Sequence, residues 1–228
     1  MKYILMDVEG TTTSISFVHD ILFPYSKSRI ETFVKDNLKN TLVTKCIDEV
    51  KATVLTEENI LLDLNGVTSK LIEWIENDRK HPALKQLQGM IWKFGYESGE
   101  IKGHVYEDVE EVLACWKKAG LSLGVYSSGS VEAQKDLFTH SIAGNLSSFF
   151  SHHFDTDIGH KREISSYQKI AKNLAIDPAE ILFLSDIKEE LDAAKSAGYS
   201  TIQLVRTPPL EFQGHPQAHS FKYIRSIN

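Results

Sequence analysis

The chain alternates short apolar runs with helix-like segments, and polar residues follow the ends of these runs. Leu121–Tyr126 precedes Ser-Ser-Gly-Ser, Ile181–Leu184 precedes Ser-Asp, and Thr201–Val205 is a further run of the same kind. Segments with the period of an amphipathic helix separate the runs. This alternation is typical of a parallel sheet whose two faces are both covered by helices. The sequence therefore predicts an α/β fold.

The first apolar run, residues 2–6, is separated from the others by a long segment that has helical periods and little strand character. We predict that residues 15–103 form an inserted all-helical cap, and that residues 1–14 and 104–228 form the α/β core. An insertion after a strand lies at the strand's carboxyl end, where open α/β sheets bind ligands. The expected buried faces of the inserted helices are Ile30, Phe33, Val34 and Leu38; Val43, Cys46, Ile47, Val50 and Val54; Leu71, Ile72 and Ile75; and Leu84, Leu87, Ile91 and Phe94.

Composition limits the classes of partner. The formal net charge is −6, whereas nucleic-acid binding usually requires a basic surface, so we expect no nucleic-acid partner. No stretch approaches the roughly 20 apolar residues that span a bilayer, and we expect no membrane partner. The two cysteines, Cys46 and Cys115, lie far apart among apolar residues and are expected in the core. A monomeric, cytoplasmic protein is the resulting expectation.

An acidic pair follows the first strand. Asp7 and Glu9 are two residues apart, so on a continuing strand their side chains point the same way, and Gly10 then permits a sharp change of direction. Two carboxylates so close repel each other unless a cation or a shared proton relieves them. An exposed acidic turn is the alternative explanation of the same motif.

Hydroxyl groups follow the next strand. Ser127 and Ser128 lie where that strand turns into a helix, a place where hydroxyls and backbone N–H groups form an anion site. Ser130 is suited to cap the helix that follows. Capping alone is the simpler explanation of this serine cluster, and both roles are compatible.

A lysine and a further acidic group complete the set. Lys161 lies in a turn before a helix, and Asp186 ends the strand that begins at Ile181. An aspartate at a strand end can hold a hard cation through oxygen, although acids at a helix N-terminus also arise from the helix dipole alone. Of the two glutamates beyond it, Glu190 rather than Glu189 is favoured as an outer partner of this site.

These signals gain weight together, because each falls at the carboxyl end of a strand or in a turn before a helix. The set suits phosphoryl transfer through a carboxylate nucleophile. In this hypothesis Asp7 attacks phosphorus and Glu9 moves the proton. Mg²⁺ bound by Asp7 and Asp186 neutralises charge, and Ser127 and Lys161 hold the phosphoryl oxygens.

The order of these motifs resembles the haloacid-dehalogenase superfamily of phosphotransferases, and longer motifs resemble the acireductone synthases, the enolase-phosphatases of methionine salvage. The motifs that carry the second resemblance are residues 7–13 (Asp-Val-Glu-Gly-Thr-Thr-Thr), 17–18, 21–25, 83–89 (Ala-Leu-Lys-Gln-Leu-Gln-Gly), 126–134 (Tyr-Ser-Ser-Gly-Ser-Val-Glu-Ala-Gln), 153–156, 158–161 (Ile-Gly-His-Lys) and 181–186. They cover nearly the whole chain up to residue 207.

The resemblance implies a haloacid-dehalogenase-like core with a parallel, Rossmann-type sheet, and an enzyme with two half-reactions. The implied substrate, 2,3-diketo-5-methylthiopentyl-1-phosphate, is enolised and then dephosphorylated to the acireductone, with Mg²⁺ as cofactor. It also implies a metal site of Asp7, Asp186 and Glu9, the last through its backbone carbonyl. Ser127, Ser128 and Lys161 are the implied substrate-binding residues. The wider superfamily usually has aspartate where this chain has Glu9.

Two alternatives stay open at this stage. A general small-molecule phosphatase with the same core and a helical cap carries the same four signals. A phosphate-sensing receiver-type domain also combines acids, hydroxyls and a lysine on a parallel sheet, but its phosphoacceptor follows a middle strand and no large insertion follows its first strand. The position of Asp7 and the inserted helices therefore favour an enzyme.

Overall fold

The computed structural model describes residues 1–207 and 214–224. Within it the chain forms two compact units. One consists of residues 1–15 together with the chain from Lys102 onward, and the other is Ser16–Ile101. The boundaries predicted from the sequence lie after residues 14 and 103.

The first unit contains a six-stranded sheet in the order β3-β2-β1-β4-β5-β6, and every neighbouring pair is parallel. Its strands are β1 (Tyr3–Met6), β2 (Ser122–Tyr126), β3 (His152–Phe154), β4 (Ile181–Ser185), β5 (Ser200–Leu204) and β6 (Gln217–Ala218). The predicted parallel α/β fold is confirmed. The strand β1 lies between β2 and β4, and all four of its residues are fully buried, as expected for a central strand.

Helices cover this sheet. They are α6 (Val109–Lys118), α7 (Val131–Thr139), α8 (Ile164–Leu174) and α9 (Lys188–Ser196). Tyr3 and Leu5 pack against Tyr167 of α8 and Leu191 of α9. The intervening residues of β1 point to the opposite face, because side chains alternate along a strand, and they are equally buried.

The second unit is all helical, as predicted. A short helix α1 (Ile15–Phe17), which crosses the boundary between the units, leads into a π-helical turn (Val18–Leu22) and then α2 (Phe23–Asp36), α3 (Thr41–Glu58), α4 (Leu64–Glu76) and α5 (Pro82–Ser98). The last helix begins with its proline in the first turn, where the missing N–H costs no hydrogen bond. The four helices bury most of the predicted faces in one apolar core.

Three residues predicted to be in cores are exposed. Leu38 lies beyond the end of α2, and Phe94 is 60% exposed on α5. Cys115 of α6 is also exposed, although Val112 and Trp116 of the same helix are buried. These predictions were wrong because a periodic pattern does not reveal where a helix ends or how wide its buried face is.

The sequence left the chain after Pro208 unassigned, and residues 208–213 and 225–228 lie outside the described residues. Between them, β6 pairs with β5 in the register Gln203–Gln217 and Leu204–Ala218, and a short 3₁₀ helix (Phe221–Ile224) follows. No helix of the described part of the chain is long and apolar enough to cross a bilayer.

Candidate active site

Three of the predicted site residues, Asp7, Ser127 and Asp186, come directly after strands of the first unit, and parallel strands bring their carboxyl ends to one edge. Asp7 comes directly after β1, and its N–H donates to the carbonyl of Leu184 in β4 at 2.8 Å. The residue is 3% exposed, and Oδ1 of its carboxylate accepts hydrogen bonds from the N–H of Val8 at 2.7 Å and from Nζ of Lys161 at 2.5 Å. The central strand thus delivers a buried carboxylate that is held in one orientation.

Lys161 is buried with two acidic partners. Its ammonium group is ion-paired with Asp7 and, at 2.7 Å, with Oε2 of Glu190. The turn that carries it is fixed by two tyrosines: Tyr126 donates to the carbonyl of Gly159, and Tyr167 to the carbonyl of Lys161, both at 2.7 Å. Burial alone lowers the pKa of Lys161, but the charges of Asp7 and Glu190 outweigh it and raise that pKa above its ordinary value. The lysine therefore stays charged in the site.

Glu190 lies in the first turn of α9 and is 8% exposed, whereas Glu189 is exposed. Ser185, the last residue of β4, donates a hydrogen bond to Oε2 of Glu190 at 3.0 Å. Burial and the nearby charge of Asp7 raise the pKa of Glu190 to about 7, against the opposing effects of Lys161 and Ser185. Glu190 thus contacts Lys161, and Lys161 in turn contacts Asp7.

Glu9 reaches a different partner. The strand β1 ends at Met6, so Glu9 lies in the following turn rather than on a continuing strand, and the predicted strand alternation of Asp7 and Glu9 was wrong. Its Oε2 accepts a hydrogen bond from Oγ of Ser127 at 2.9 Å, and that Oγ accepts one from the N–H of Gly129 at 3.0 Å. Burial and the charge of Asp7 raise the pKa of Glu9. The side chain is thereby biased towards its protonated form near Asp7.

The other two serines have different positions. Ser128 is exposed in the same turn. Ser130 is the N-cap of α7, where its Oγ accepts a hydrogen bond from the N–H of Ala133 at 3.2 Å.

Asp186 comes directly after β4 and lies beside Gly10. Among the described residues its Oδ1 is a buried oxygen without a hydrogen-bond partner. Burial and the charge of Asp7 raise the pKa of Asp186 to about 7. Gly10 has a φ of +77°, and a Cβ at this position would lie 2.2 Å from Oδ2 of Asp186, so glycine leaves the space that the carboxylate occupies.

These residues fit a divalent cation. The ammonium group of Lys161 contacts the carboxylates of Asp7 and Glu190, and the charge of Asp7 acts on both Glu9 and Asp186. Asp186 also has a buried oxygen without a hydrogen-bond partner among the described residues. No group of three or more His, Cys, Asp or Glu side chains that could hold a metal occurs among the described residues. A cation held by the described residues would therefore have at most two carboxylate ligands. A set of two carboxylates with a backbone oxygen suits Mg²⁺, which usually keeps several waters and takes one or two carboxylates from the protein.

One charged pair next to this site is not indicated by any pattern in the sequence. Arg206, beyond β5, forms an ion pair at 2.7 Å with Asp108, just before α6, and also bonds to the turn that follows Asp7. Neither residue belongs to a motif. They are identified only by the ion pair of a partly buried arginine with a buried aspartate, and that requires the structure.

The fold and this strand-end set of groups define a class of hydrolase. Residues 1–198 match the family model described as haloacid dehalogenase-like hydrolase. Several solved dehalogenases share the fold at under 20% identity; one of them, an L-2-haloacid dehalogenase, has a TM-score of 0.58 and is covered to 97%.

The relatives narrow the class. The chain is 47% identical to "Enolase-phosphatase E1" of a Sulfurihydrogenibium species, over all of this chain and 96% of the relative. It is 45% identical to the protein of that name from Methylococcus capsulatus, over 99% of this chain and 98% of the relative. The solved UTR4 protein of Saccharomyces cerevisiae has a TM-score of 0.78 and 32% identity, with 97% of this chain and 98% of that chain covered. The chain belongs to this enolase-phosphatase family within the haloacid dehalogenase-like hydrolases.

Proposed function

We propose that this protein is an enolase-phosphatase of methionine salvage. It converts 2,3-diketo-5-methylthiopentyl-1-phosphate to the acireductone 1,2-dihydroxy-3-keto-5-methylthiopentene and phosphate. The observation that carries the proposal is the buried Asp7 carboxylate, which hydrogen bonds from Val8 and Lys161 hold in place. Its charge also raises the pKa of Glu9. Family membership supports the choice of substrate, because relatives named enolase-phosphatase match this chain over nearly their whole length.

The dephosphorylation uses the chain's own residues in two displacements. Oδ2 of Asp7 attacks phosphorus, the bond from phosphorus to the ester oxygen breaks, and the enol oxygen takes the proton of Glu9. The raised pKa of Glu9 favours the protonated form that this step requires. Glu9, now a carboxylate, takes a proton from water, whose oxygen attacks phosphorus. The bond between Asp7 and phosphorus then breaks and phosphate leaves.

The charged groups around Asp7 have complementary tasks in this proposal. Lys161, with its raised pKa, presents a positive charge to the phosphoryl oxygens, and Ser127 and Ser128 supply hydroxyls from the neighbouring strand end. Asp7, Asp186 and the backbone carbonyl of Glu9 would hold Mg²⁺. When bound, Mg²⁺ supplies charge neutralisation between the anionic nucleophile and the phosphate. Glu190 holds Lys161 from its other side.

We propose further that the helical unit Ser16–Ile101 acts as a cap that selects the substrate. It follows the Asp7 turn directly in sequence and has a separate core. Replacing it with a short Gly/Ser linker is expected to reduce turnover of the diketo phosphate more than that of a small generic phosphate ester. Equal losses on both substrates count against a selecting cap.

The cellular and oligomeric assignments are also proposals: a cytoplasmic monomer whose partner is the phosphorylated substrate. A size-exclusion measurement with light scattering tests the monomer. A mass of twice 25.7 kDa contradicts it.

The decisive experiment separates the two half-reactions. The purified protein is given the diketo phosphate and a panel of sugar phosphates, with and without Mg²⁺, while phosphate release and deuterium uptake from solvent are followed. We expect release from the diketo phosphate only with Mg²⁺. Equal turnover of the sugar phosphates would instead identify a general phosphatase of the same superfamily.

Asp7→Asn tests the nucleophile. We expect this variant to lose phosphate release but keep deuterium uptake at the carbon bearing the phosphate ester, because enolisation requires a base and an electrophile but no attack on phosphorus. Asp177→Asn is the matched control, since it makes the same change at the opposite end of β4, where Asp177 caps a short 3₁₀ helix (Pro178–Glu180). Phosphate release at the wild-type rate by Asp7→Asn contradicts the mechanism. Glu9→Gln in the same assay tests whether Glu9 is also the enolising base.

A further inference from the structure

A buried carboxylate outside the proposed catalytic set gathers an unusual number of donors. Asp108 occupies the N-cap position of α6, yet its side chain does not cap the helix. It accepts hydrogen bonds from Nη1 of Arg206 at 2.9 and 2.7 Å, from Oγ of Ser220 at 2.6 Å and from the N–H of Phe221 at 2.6 Å. A group at a capping position that bonds elsewhere breaks a local rule, and such exceptions concentrate at functional or strained sites.

Arg206 connects this carboxylate to the turn after Asp7. While Nη1 bonds to Asp108, Nε and Nη2 donate to the carbonyl of Thr11 at 3.0 and 2.6 Å. The guanidinium lies against two aromatic rings, with its carbon 4.2 Å from the centroid of Tyr106 and 4.9 Å from that of Phe221. The hydrogen bonds therefore hold the edges of the guanidinium group, and the two rings pack against it.

The carbonyl that accepts these bonds belongs to a tight turn. The N–H groups of Thr12 and Thr13 both donate to the carbonyl of Val8 at 2.9 Å, and the N–H of Gly10 donates to the carbonyl of Thr13 at 2.8 Å. These bonds close the turn onto itself. Arg206 attaches it to the chain beyond β5, so a shift of Thr11 moves a turn that contains Glu9 and begins at Asp7.

We propose that Arg206 is a positioning residue for the phosphatase reaction. Held by Asp108, which is itself held by Ser220 and Phe221, it fixes the turn of residues 7–13 and thereby the direction of the Asp7 and Glu9 carboxylates. The proposal rests on the proposed function for its kinetic consequences, but not for the structural ones. It assigns a role to the chain around residues 220–221, since that segment supplies two of the hydrogen bonds to Asp108. Only arginine can serve, because it donates to two acceptors through a planar fork, whereas lysine cannot.

Arg206→Ala tests this role. A misplacement of about 1 Å at reacting groups costs on the order of 100-fold in rate, so we expect kcat to fall by about that factor while KM changes by less than about threefold. Added guanidinium ion should restore part of the lost kcat, because the vacated space keeps the Asp108 carboxylate, the Thr11 carbonyl and the two rings. Arg206→Lys should remain impaired, and added ammonium ion should not rescue Arg206→Ala.

A direct contact with substrate is the competing explanation. Arg206 also lines a cleft of about 420 Å³ together with Gly10, Tyr106 and Asp186. If Arg206 binds substrate there, its loss raises KM and leaves kcat in place, which would overturn the positioning role. Asp108→Ala supplies a second check: in a positioning chain the double variant Asp108→Ala/Arg206→Ala is no slower than Arg206→Ala alone. Fully multiplicative losses contradict the chain.

Hydrogen exchange tests the structural claim without any turnover. In Arg206→Ala we expect faster amide exchange in peptides that cover residues 8–13, with exchange in α8 unchanged. Phe138→Leu is the control for a general loss of stability, because Phe138 is fully buried in the same unit and packs on Phe150. If both variants accelerate exchange throughout the unit, Arg206 is merely a stabilising residue and the proposal fails. If the wild-type protein releases no phosphate, the proposed function fails while this exchange result still stands.

Discussion

Gly10 offers a sharp test of the space around Asp186. In Gly10→Ala the new Cβ would lie 2.2 Å from Oδ2 and 2.4 Å from Cγ of Asp186, whereas ordinary contact begins at 3.4 Å. The difference from 3.4 Å is 1.2 Å for Oδ2, so the carboxylate has to move by about that distance. The backbone contributes a second penalty, because φ is +77° and a left-handed conformation costs a residue with a Cβ roughly 1–2 kcal/mol.

Gly144→Ala separates the two effects. Its φ is +89°, and a Cβ there meets no atom within 4 Å, so it carries the backbone penalty alone. A loss of about 1–2 kcal/mol lowers the melting temperature of a protein of this size by roughly 2–8 °C. We expect Gly144→Ala to show this loss with unchanged phosphatase activity.

Gly10→Ala should differ in function as well as stability. Displacing a proposed Mg²⁺ ligand and reacting-site carboxylate by about 1 Å is expected to lower kcat on the order of 100-fold. It should also reduce the rise in melting temperature that Mg²⁺ produces in the wild-type protein, since a ligand stabilises only to the extent that it binds the folded state. Thermal unfolding with and without Mg²⁺, together with phosphate release, measures both. If the two alanine variants respond to Mg²⁺ equally and turn over equally, the steric argument about Asp186 is refuted.

Three further outcomes are expected. Lys161→Met should lower phosphatase kcat by at least about 100-fold, because a positive charge is lost where phosphoryl charge develops; a loss below tenfold in steady-state assays contradicts that role. The unfolding free energy of the metal-free protein should fall as pH rises from about 4.5 to about 7. The reason is that Asp186 and Glu190, whose pKa values are raised to about 7, bind protons more tightly in the folded than in the unfolded state. Urea titrations that show a rise instead refute those shifts. Ser130→Ala should cost about 1 kcal/mol of unfolding free energy through its lost N-cap, and a large fall in kcat would reveal a role beyond capping.

The candidate site was largely predictable because its residues follow local patterns. Asp7, Ser127 and Asp186 each come at or just beyond the end of an apolar run, and a parallel sheet brings such positions to one edge without further information. Glu9 shows the limit of this reasoning. Its identity was predicted, but its geometry was not, because where β1 ends depends on the bonds of the turn after it.

Longer-range features could not be read from the sequence. Arg206 and Thr11 are 195 residues apart, and Arg206 and Asp108 are 98 apart, so no local pattern links them. The two-residue strand β6 exists only through its register with β5. Leu38 and Phe94 matched an apolar period, but the packing partner of a helix decides how much of that stripe is covered.

The central position of β1 has a consequence for how the molecule is made. Both neighbours of β1, β2 and β4, follow the Ser16–Ile101 insertion in the chain, so each of its ladders joins segments of large sequence separation. Such pairings close long loops and form slowly, whereas the helical unit has a core complete at residue 101. A ribosome therefore releases Asp7 well before Lys161 and Asp186. The buried apolar residues of β1 have to remain unaggregated until β4 has been synthesised, so this strand depends on protection while the chain is being made.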